Sequence, residues 1–239
     1  MRTFTVALIG PDGVGKTTVG REVERTHPSR VKYIYIGDNV EASNYLLPTT
    51  RWWRTRGGPQ KAGGAKMGSP NPEPHPATRS NLLRRPVKAL RGAVRYVFSL
   101  TTRFLEEAYR QVVASRFSKR GYIVLFDRHF ILDYYHNDIL AAAGKRSLRR
   151  RLHGTIVRWL TREPDLVICL DASGETVFRR KGEFSPEFLE GRRAQYLSFQ
   201  TIVKNFALVN ADREVGLVIQ DVNRVITDFH ETHGRPAAR

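Results

Sequence analysis

Apolar residues along this chain fall into short continuous runs and do not alternate with polar residues. Four such runs are TFTVALIG (3–10), VKYIYIG (31–37), YIVLFD (122–127) and DLVICLD (165–171), and a weaker fifth is FALVNA (206–211). Their β-branched and aromatic residues are typical of strands buried on both faces, as in a parallel sheet covered by helices. The pattern therefore predicts five parallel strands.

Apolar residues at helical spacing lie between these runs. They predict helices over 16–25, 175–181, 188–199 and 214–229, and a longer one from about 87 to 117. Strands that alternate with helices form an α/β fold whose parallel strands are joined by right-handed crossovers. We therefore expect a three-layer fold, with a five-stranded parallel sheet flanked by helices.

Residues 54–80 interrupt this alternation. The segment is rich in Gly, Pro and small polar residues and has almost no apolar side chain to bury. This composition is typical of a disordered loop or a functional lid. We predict a single domain over 1–230 with a flexible basic insert at about 54–80, followed by a disordered tail at 231–239.

The charge of the chain is strongly positive and is partly concentrated in one segment. Of 239 residues, 40 are Lys or Arg and 23 are Asp or Glu, which gives a net charge of +17. Between Arg51 and Arg95 there are 11 Lys or Arg and one acid, Glu73. Such a field attracts polyanions, so the charge allows a nucleotide or a nucleic acid as partner. An Arg-rich composition spread over solvated faces is the alternative explanation.

The expected location follows from the single cysteine and from the lengths of the apolar runs. Cys169 lies in the run 165–171 and has no second cysteine with which to form an internal disulfide. A buried free thiol suits a reducing compartment. The N-terminal apolar run, Val6 to Ile9, is too short for a signal peptide, and no run reaches the roughly 20 apolar residues that span a membrane. We expect a cytoplasmic protein without a membrane span, and we leave open whether it forms a homodimer.

The segment GPDGVGKT, Gly10 to Thr17, matches the phosphate-binding pattern G-x-x-x-x-G-K-[ST]. It follows a predicted strand and precedes a predicted helix, as the motif requires. The glycines let backbone N–H groups converge on one anion, and the helix N-terminus adds its positive end. The predicted nucleotide-binding residues are Gly10, Asp12, Gly13, Val14, Gly15, Lys16, Thr17 and Thr18.

Two side chains of this loop carry the predicted chemistry of a P-loop NTPase. Lys16 is expected to reach the β- and γ-phosphates of ATP, and the Thr17 hydroxyl is expected to ligate Mg²⁺. ATP and Mg²⁺ are therefore the predicted cofactors. The alternative is a Gly-rich turn between strand and helix, capped by a threonine.

A second motif, Asp127-Arg128-His129, ends the strand 122–127. A carboxylate at the carboxyl end of a parallel strand lies at the ligand-binding edge of the sheet. There Asp127 can hold Mg²⁺ or orient an attacking hydroxyl, and Arg128 can bind phosphate oxygens bidentately. A surface ion pair that closes the strand is the alternative.

Two basic clusters follow the fourth strand. Residues 179–181 precede Gly182, and a second cluster, 192–193, follows on the next predicted helix. Basic clusters around a hinge are typical of a lid that closes over a nucleotide and brings positive charge to the transferred phosphoryl group. We predict Arg179 and Arg180 as catalytic residues, with two solvated helix faces as the alternative.

Together, the loop 10–18, the Asp127-Arg128-His129 strand end, the run PDLVICLD and the basic lid resemble the thymidylate kinase family. The resemblance covers most of the chain apart from roughly 38–95. It implies a nucleoside-monophosphate-kinase-like fold with a lid. It also implies transfer of the γ-phosphoryl group of ATP to a small phosphorylated acceptor, a nucleoside monophosphate such as thymidylate.

The resemblance implies roles for residues on the acceptor side. Asp12 would contact a sugar hydroxyl, Asp127 the metal and the acceptor, and Arg128 and Arg103 the acceptor phosphate. Arg103 and Arg128 then offer two cations for a phosphate, and Asp12 and Asp38 offer two carboxylates for hydroxyls. This inventory favours a phosphorylated sugar over a bare alcohol.

One position of the loop bears on the lid. Gly13 stands where some members of the family carry an arginine, so the resemblance implies that the lid supplies the catalytic arginine. This agrees with the assignment of Arg179 and Arg180.

Two other functions stay open because the segment YIGDNVEASN after the second strand departs from the family's acceptor segment. The first is a P-loop kinase of a nucleoside or sugar hydroxyl. The second is a nucleic-acid-binding P-loop protein, with 51–95 as its electrostatic footprint.

Overall fold

The structure is a computed structural model that describes residues 2–36, 45, 47, 101, 105–129, 162–233 and 235–236. Within these ranges the strands are β1 (Arg2–Thr3), β2 (Thr5–Ile9), β3 (Val31–Tyr35), β4 (Ile123–Asp127), β5 (Leu166–Asp171), β6 (Phe206–Asn210) and β7 (Arg235–Pro236). The helices are α1 (Lys16–Thr26), α2 (105–119), α3 (Gly174–Lys181), α4 (Pro186–Ser198) and α5 (Val215–His233). None of the helices in these ranges is long and apolar enough to cross a membrane.

The chain divides into two compact units. The first comprises Met1–Tyr45 and Arg110–Arg239, and the second comprises Leu46–Tyr109. In the second unit the Leu47 N–H donates to Glu106 Oε2 at 3.4 Å. The insert predicted at 54–80 lies outside the described residues, so its flexibility and the single domain over 1–230 stay predictions.

Strands β2 to β6 form one parallel sheet with the order β3-β4-β2-β5-β6. The central strand β2 pairs with β4 on one side and β5 on the other, so that Leu8 lies opposite both Asp127 and Ile168. Each of the five predicted apolar runs is a strand of this sheet. The predicted five-stranded parallel sheet is confirmed.

Apolar side chains cover both faces of the sheet, which explains why the strand sequences do not alternate with polar residues. On one face, residues such as Leu8 and Leu125 pack with Val23 of α1 and Ile226 of α5. A smaller cluster on the other face consists of Ala7, Ile9, Val167, Cys169 and Phe199. Consecutive residues of β2 therefore lie in different cores, and both cores exclude water.

The weaker fifth run has a physical explanation in its position at the edge of the sheet. In β6, Val209 is 3 % exposed whereas its neighbour Leu208 is 54 % exposed. One face of this strand is packed and the other is accessible to solvent, so its apolar signal is weaker than that of the central strands.

The C-terminal segment contacts the start of the chain. Helix α5 continues through His233, and β7 pairs antiparallel with β1. The Phe229 ring stacks on His233 at 4.7 Å and contacts Phe4 at 4.9 Å, which gives the end of the helix an apolar partner. The disordered tail at 231–239 stays a prediction.

Gly20 sets how closely α1 approaches β3. A Cβ at Gly20 would lie 2.5 Å from the ring of Tyr33, which is 1 % exposed and can shift only by disturbing the core around it. We expect Gly20→Ala to lower the free energy of unfolding by about 1–3 kcal/mol, the usual cost of overpacking a core.

The control for this change is Gly191→Ala in α4, where the added Cβ meets nothing within 4 Å. Helix propensity alone should raise the stability of that variant by up to about 1 kcal/mol. Urea unfolding, monitored by circular dichroism, measures the free energy of unfolding of both variants. Equal stabilisation by the two alanines would contradict the packing of Tyr33 on Gly20.

Candidate active site

The phosphate-binding loop lies between β2 and α1, at the carboxyl edge of the sheet. Gly10 has φ of 141°, and a Cβ there would lie 2.6 Å from the Leu170 carbonyl oxygen of β5. The glycine is therefore required where the loop leaves the sheet. The loop ends at Gly15, which precedes the first residue of α1, so the N–H groups of the first helical turn adjoin the loop.

Lys16 is held inside this loop. Its side chain is 6 % exposed, and Nζ donates to the carbonyl oxygens of Gly10 at 2.7 Å and Pro11 at 2.8 Å. Asp12 Oδ1 lies 3.8 Å from the same ammonium group. The loop thus surrounds one buried positive charge.

The other predicted nucleotide-binding residues differ in what they expose. The Val14 side chain is buried in the core, so its backbone is the part that a ligand can reach. Thr17 is half-buried and Thr18 is exposed in the first turn of α1.

Asp127, at the end of β4, receives two hydrogen bonds on one carboxylate oxygen. Thr17 Oγ1 donates to Asp127 Oδ2 at 2.6 Å, and the Tyr33 hydroxyl donates to the same oxygen at 2.7 Å. Asp127 is 0 % exposed, and no donor from the described residues reaches its other oxygen, Oδ1. A buried acceptor without a donor is costly, which marks Oδ1 as the place for a cation or its bound water.

Tyr33 belongs to the candidate site through its hydrogen bond to Asp127, and sequence reasoning missed it. Burial raises the pKa of its hydroxyl well above the usual value, and the negative charge of Asp127 raises it further. The hydroxyl therefore keeps its proton and stays a donor to Asp127. A tyrosine inside an apolar strand is a weak signal, although a buried tyrosine hydroxyl usually has a polar partner.

Thr17 and Asp127 together fit a magnesium ion that arrives with a nucleotide. Mg²⁺ prefers oxygen ligands and is usually bound through one or two protein groups together with phosphates and waters. In the described ranges no cluster of three or more His, Cys, Asp or Glu could hold a metal ion. A hydroxyl and a carboxylate beside a phosphate-binding loop are thus the ligands that a nucleotide-bound Mg²⁺ would use.

Arg128 and Asp12 are brought together, although they come from different loops. The Arg128 guanidinium forms an ion pair with Asp12 Oδ1. The backbone N–H of Arg128 donates to the Leu8 carbonyl oxygen at 3.0 Å. Burial alone would raise the pKa of Asp12, but four neighbouring cations outweigh it and lower the pKa below its usual value. These cations are Lys16, Arg128, Lys181 and Arg192. Asp12 is therefore ionised at neutral pH.

The backbone of Arg128 is strained, with φ of 66° in the left-handed region. A residue with a Cβ loses about 1–2 kcal/mol in this conformation. We expect Arg128→Gly to be more stable than Arg128→Ala by about 1 kcal/mol, because both lose the guanidinium and only alanine keeps the strain. Urea unfolding compares the two variants, and an alanine variant as stable as the glycine variant would contradict the strain.

The first predicted lid helix, α3, packs directly against the loop. A Cβ at Gly13 would lie 3.1 Å from Val177 Cγ1 and 3.2 Å from Lys181 Cβ, and Gly13 has φ of 98°. A larger residue at this position would be strained by the positive φ and would lie in tight contact with α3. Both features favour glycine over the arginine that the resemblance associates with this position.

The basic residues of the predicted lid have different contacts. Arg179 Nη2 donates to Thr176 Oγ1 at 3.2 Å on its own helix, and Arg180 Nη2 donates to the Ala211 carbonyl oxygen at 2.9 Å. The two lid cations that act electrostatically on Asp12 are instead Lys181 and Arg192. The sequence indicated both clusters but did not single out these two members.

Arg193 is engaged in a different way. It donates to both carboxylate oxygens of Asp171, at 2.5 and 2.9 Å, and to Glu190 Oε1 at 2.7 Å. Glu190 Oε2 in turn accepts from the Gly174 N–H at 2.9 Å. Arg193 therefore joins α4 to the carboxyl end of β5 and to the start of α3.

Three further residues complete the comparison with the sequence predictions. Asp38 and Arg103, predicted on the acceptor side, lie outside the described residues. His129 is 1 % exposed next to Phe126, at 5.4 Å between the rings, and burial lowers its pKa to about 4. It is a neutral core residue.

The parallel sheet, the phosphate-binding loop after its central strand and the aspartate at the end of the adjacent strand define the P-loop NTPase α/β fold. The chain is similar to two solved kinase structures. The thymidylate kinase of Candida albicans is 16 % identical over 95 % of this chain and 92 % of that chain, with a TM-score of 0.49. The deoxyadenosine kinase of M. mycoides, with bound dATP, is 15 % identical over 93 % and 99 %, with a TM-score of 0.50. No family model and no curated protein sequence matches the chain.

Proposed function

We propose that this protein is a Mg²⁺- and ATP-dependent phosphotransferase that moves the γ-phosphoryl group of ATP to a small phosphorylated acceptor. A nucleoside monophosphate such as thymidylate is the first candidate. The observation that carries the proposal is the pair Thr17 and Asp127 beside the predicted phosphate-binding loop, where one buried carboxylate oxygen of Asp127 has no donor among the residues that the structure describes. The dATP bound to the deoxyadenosine kinase supports a purine nucleoside triphosphate as ligand.

The loop residues would bind ATP through charge and backbone donors. Lys16 Nζ, now bonded to two loop carbonyls, would exchange these for the β- and γ-phosphate oxygens. Thr17 and Asp127 would hold Mg²⁺, which neutralises charge on the phosphates when bound. With no covalent intermediate, the protein's contribution is positioning and electrostatic stabilisation.

The acceptor is assigned from the pair Asp12 and Arg128. Arg128 would bind the acceptor phosphate, and the ionised Asp12 would accept a hydrogen bond from a sugar hydroxyl. Asp38 and Arg103 stay proposed as further acceptor residues.

A second candidate is a kinase of a nucleoside or sugar hydroxyl. The Arg128 guanidinium already has an anionic partner in Asp12, so it is neutralised without an acceptor phosphate. The fold similarity to the deoxyadenosine kinase is compatible with such an acceptor.

Acceptor pairs distinguish the two candidates. ADP release from Mg-ATP is measured with each nucleoside monophosphate or sugar phosphate and with its dephosphorylated counterpart. We expect faster turnover of the monophosphates, and we expect Arg128→Ala to raise their KM without changing ATP affinity. Faster turnover of a dephosphorylated acceptor would refute the first candidate and support the second.

We further propose that the lid acts on the chemical step. Arg179 and Arg180 stay candidates for the catalytic cations, joined by Lys181 and Arg192 because these act on Asp12. Alanine at these positions should lower kcat more than ATP affinity, since lid charge acts mainly after closure. Steady-state kinetics of the four single variants measure this, and wild-type kcat in all four would exclude the lid from the chemistry.

A further inference from the structure

We propose that Tyr33 is a positioning residue that fixes the orientation of Asp127 and so keeps one carboxylate oxygen available to the metal ion. This inference rests on the proposed function, because it assumes a metal that arrives with a nucleotide. It assigns a role to a residue of β3, outside both sequence motifs.

Two hydroxyl groups converge on the same oxygen of Asp127. Thr17 and Tyr33 both donate to Oδ2, and within the described residues Oδ1 has no donor. A carboxylate held by two donors on one oxygen cannot rotate about its Cβ–Cγ bond without breaking both hydrogen bonds. The remaining oxygen is therefore kept for a different kind of partner.

The hydroxyls of Thr17 and Tyr33 would have different roles when a nucleotide and a metal ion are bound. The Thr17 hydroxyl belongs to the phosphate-binding loop and is itself the expected metal ligand, so its geometry changes with the ligand. The Tyr33 hydroxyl comes from the sheet, which does not need to move. Tyr33 thus ties the carboxylate to β3 independently of the loop.

The packing around Tyr33 explains why its hydroxyl reaches Asp127. In the register of β3 against β4, Tyr33 lies opposite Leu125, and Tyr35 lies opposite Asp127. Tyr33 therefore lies on the same face of the sheet as Asp127. Its long side chain spans the diagonal distance between the two positions on neighbouring strands. The Tyr33 ring packs against Gly20, where a Cβ would lie 2.5 Å from it. The ring fits in this position because Gly20 has no side chain.

The test is the metal affinity of the full chain carrying Tyr33→Phe, which removes the hydroxyl and keeps the ring. Mn²⁺ serves as the probe, and its binding in the presence of ADP is measured by electron paramagnetic resonance. Loss of a group that orients a metal ligand typically weakens metal binding by about 10–100-fold, and we expect a loss in this range. The affinity of this variant for ADP in the presence of EDTA should equal that of the wild type. A general loss of structure would lower this affinity as well.

Three further variants separate positioning from packing. Tyr122→Phe, at the amino end of β4 against Phe117, should leave Mn²⁺ affinity unchanged. Gly20→Ala keeps the hydroxyl but displaces the ring, so it should also weaken Mn²⁺ binding. In an Asp127→Asn background, Tyr33→Phe should cause no further loss, because the carboxylate that it orients is gone.

The results distinguish failure of the positioning role of Tyr33 from failure of the proposed phosphotransferase function. Wild-type Mn²⁺ affinity in Tyr33→Phe, or an equal loss in the Asp127→Asn background, would overturn the positioning role and leave the proposed function standing. Absence of metal-dependent nucleotide binding in the wild-type chain would overturn both.

Discussion

Lys16→Ala is expected to abolish phosphoryl transfer while the chain stays folded. The ammonium group is the buried positive charge of the loop, held by the carbonyl oxygens of Gly10 and Pro11. Alanine removes this ammonium group, so the loop no longer supplies a positive charge to the β- and γ-phosphates during transfer. Loss of one such electrostatic contact typically lowers kcat by about a hundredfold to a thousandfold.

The measurement is ADP release at saturating acceptor, with circular dichroism to verify the fold. Lys32→Ala is the matched control, because Lys32 is a partly buried lysine that pairs with Glu24 at 2.6 Å, away from the loop. It should keep wild-type kcat. A folded Lys16→Ala protein with undiminished turnover would refute the assignment of the loop.

Asp127→Asn is expected to lower kcat by about a hundredfold or more, because it removes the charge that holds the metal or orients the acceptor. Asparagine has nearly the same shape, and its amide oxygen can still accept the hydrogen bonds from Thr17 and Tyr33. The amide nitrogen would then replace Oδ1 and repel a cation. The fold should therefore persist, whereas metal binding and phosphoryl transfer should be impaired.

The control for this variant is Asp165→Asn, which changes an aspartate that accepts from the Thr5 N–H at 2.9 Å at the amino end of the sheet. Titration of kcat against Mg²⁺ compares the two proteins. A change of less than about threefold in kcat for Asp127→Asn, with normal Mg²⁺ dependence, would contradict its role.

The sheet could be predicted because its central strands are buried on both faces. Val6, Ala7 and Leu8 are all 0 % exposed, so these consecutive positions of β2 require apolar residues and the run is continuous. The edge strand β6 gave a weaker signal because Leu208 faces solvent. The turn from β2 into α1 could be predicted because its glycines and Lys16 stand at a fixed spacing that local geometry requires, and phosphate binding by this loop stays a prediction.

The contact between Tyr33 and Asp127 could not be predicted, because it joins segments that are distant in sequence. The hydrogen bond to Asp127 requires the register of β3 against β4 and the absence of a side chain at Gly20. Within VKYIYIG the residue looks like any other core aromatic side chain.

The sequence could not rank the lid cations for a similar reason. Val177 and Lys181 of α3 pack against Gly13, and Lys181 is the member of its basic cluster that acts on Asp12. The acceptor-side roles of Asp38 and Arg103 stay predictions.

Direct transfer of label from ATP labelled at its γ-phosphorus tests the central claim. The wild-type chain is incubated with Mg²⁺, labelled ATP and a panel of nucleoside monophosphates, and the products are separated by chromatography. We predict label in a nucleoside diphosphate, dependent on Mg²⁺ and absent with Asp127→Asn. Label found in inorganic phosphate alone, or no consumption of ATP with any acceptor, would contradict the assignment of this protein as a phosphotransferase.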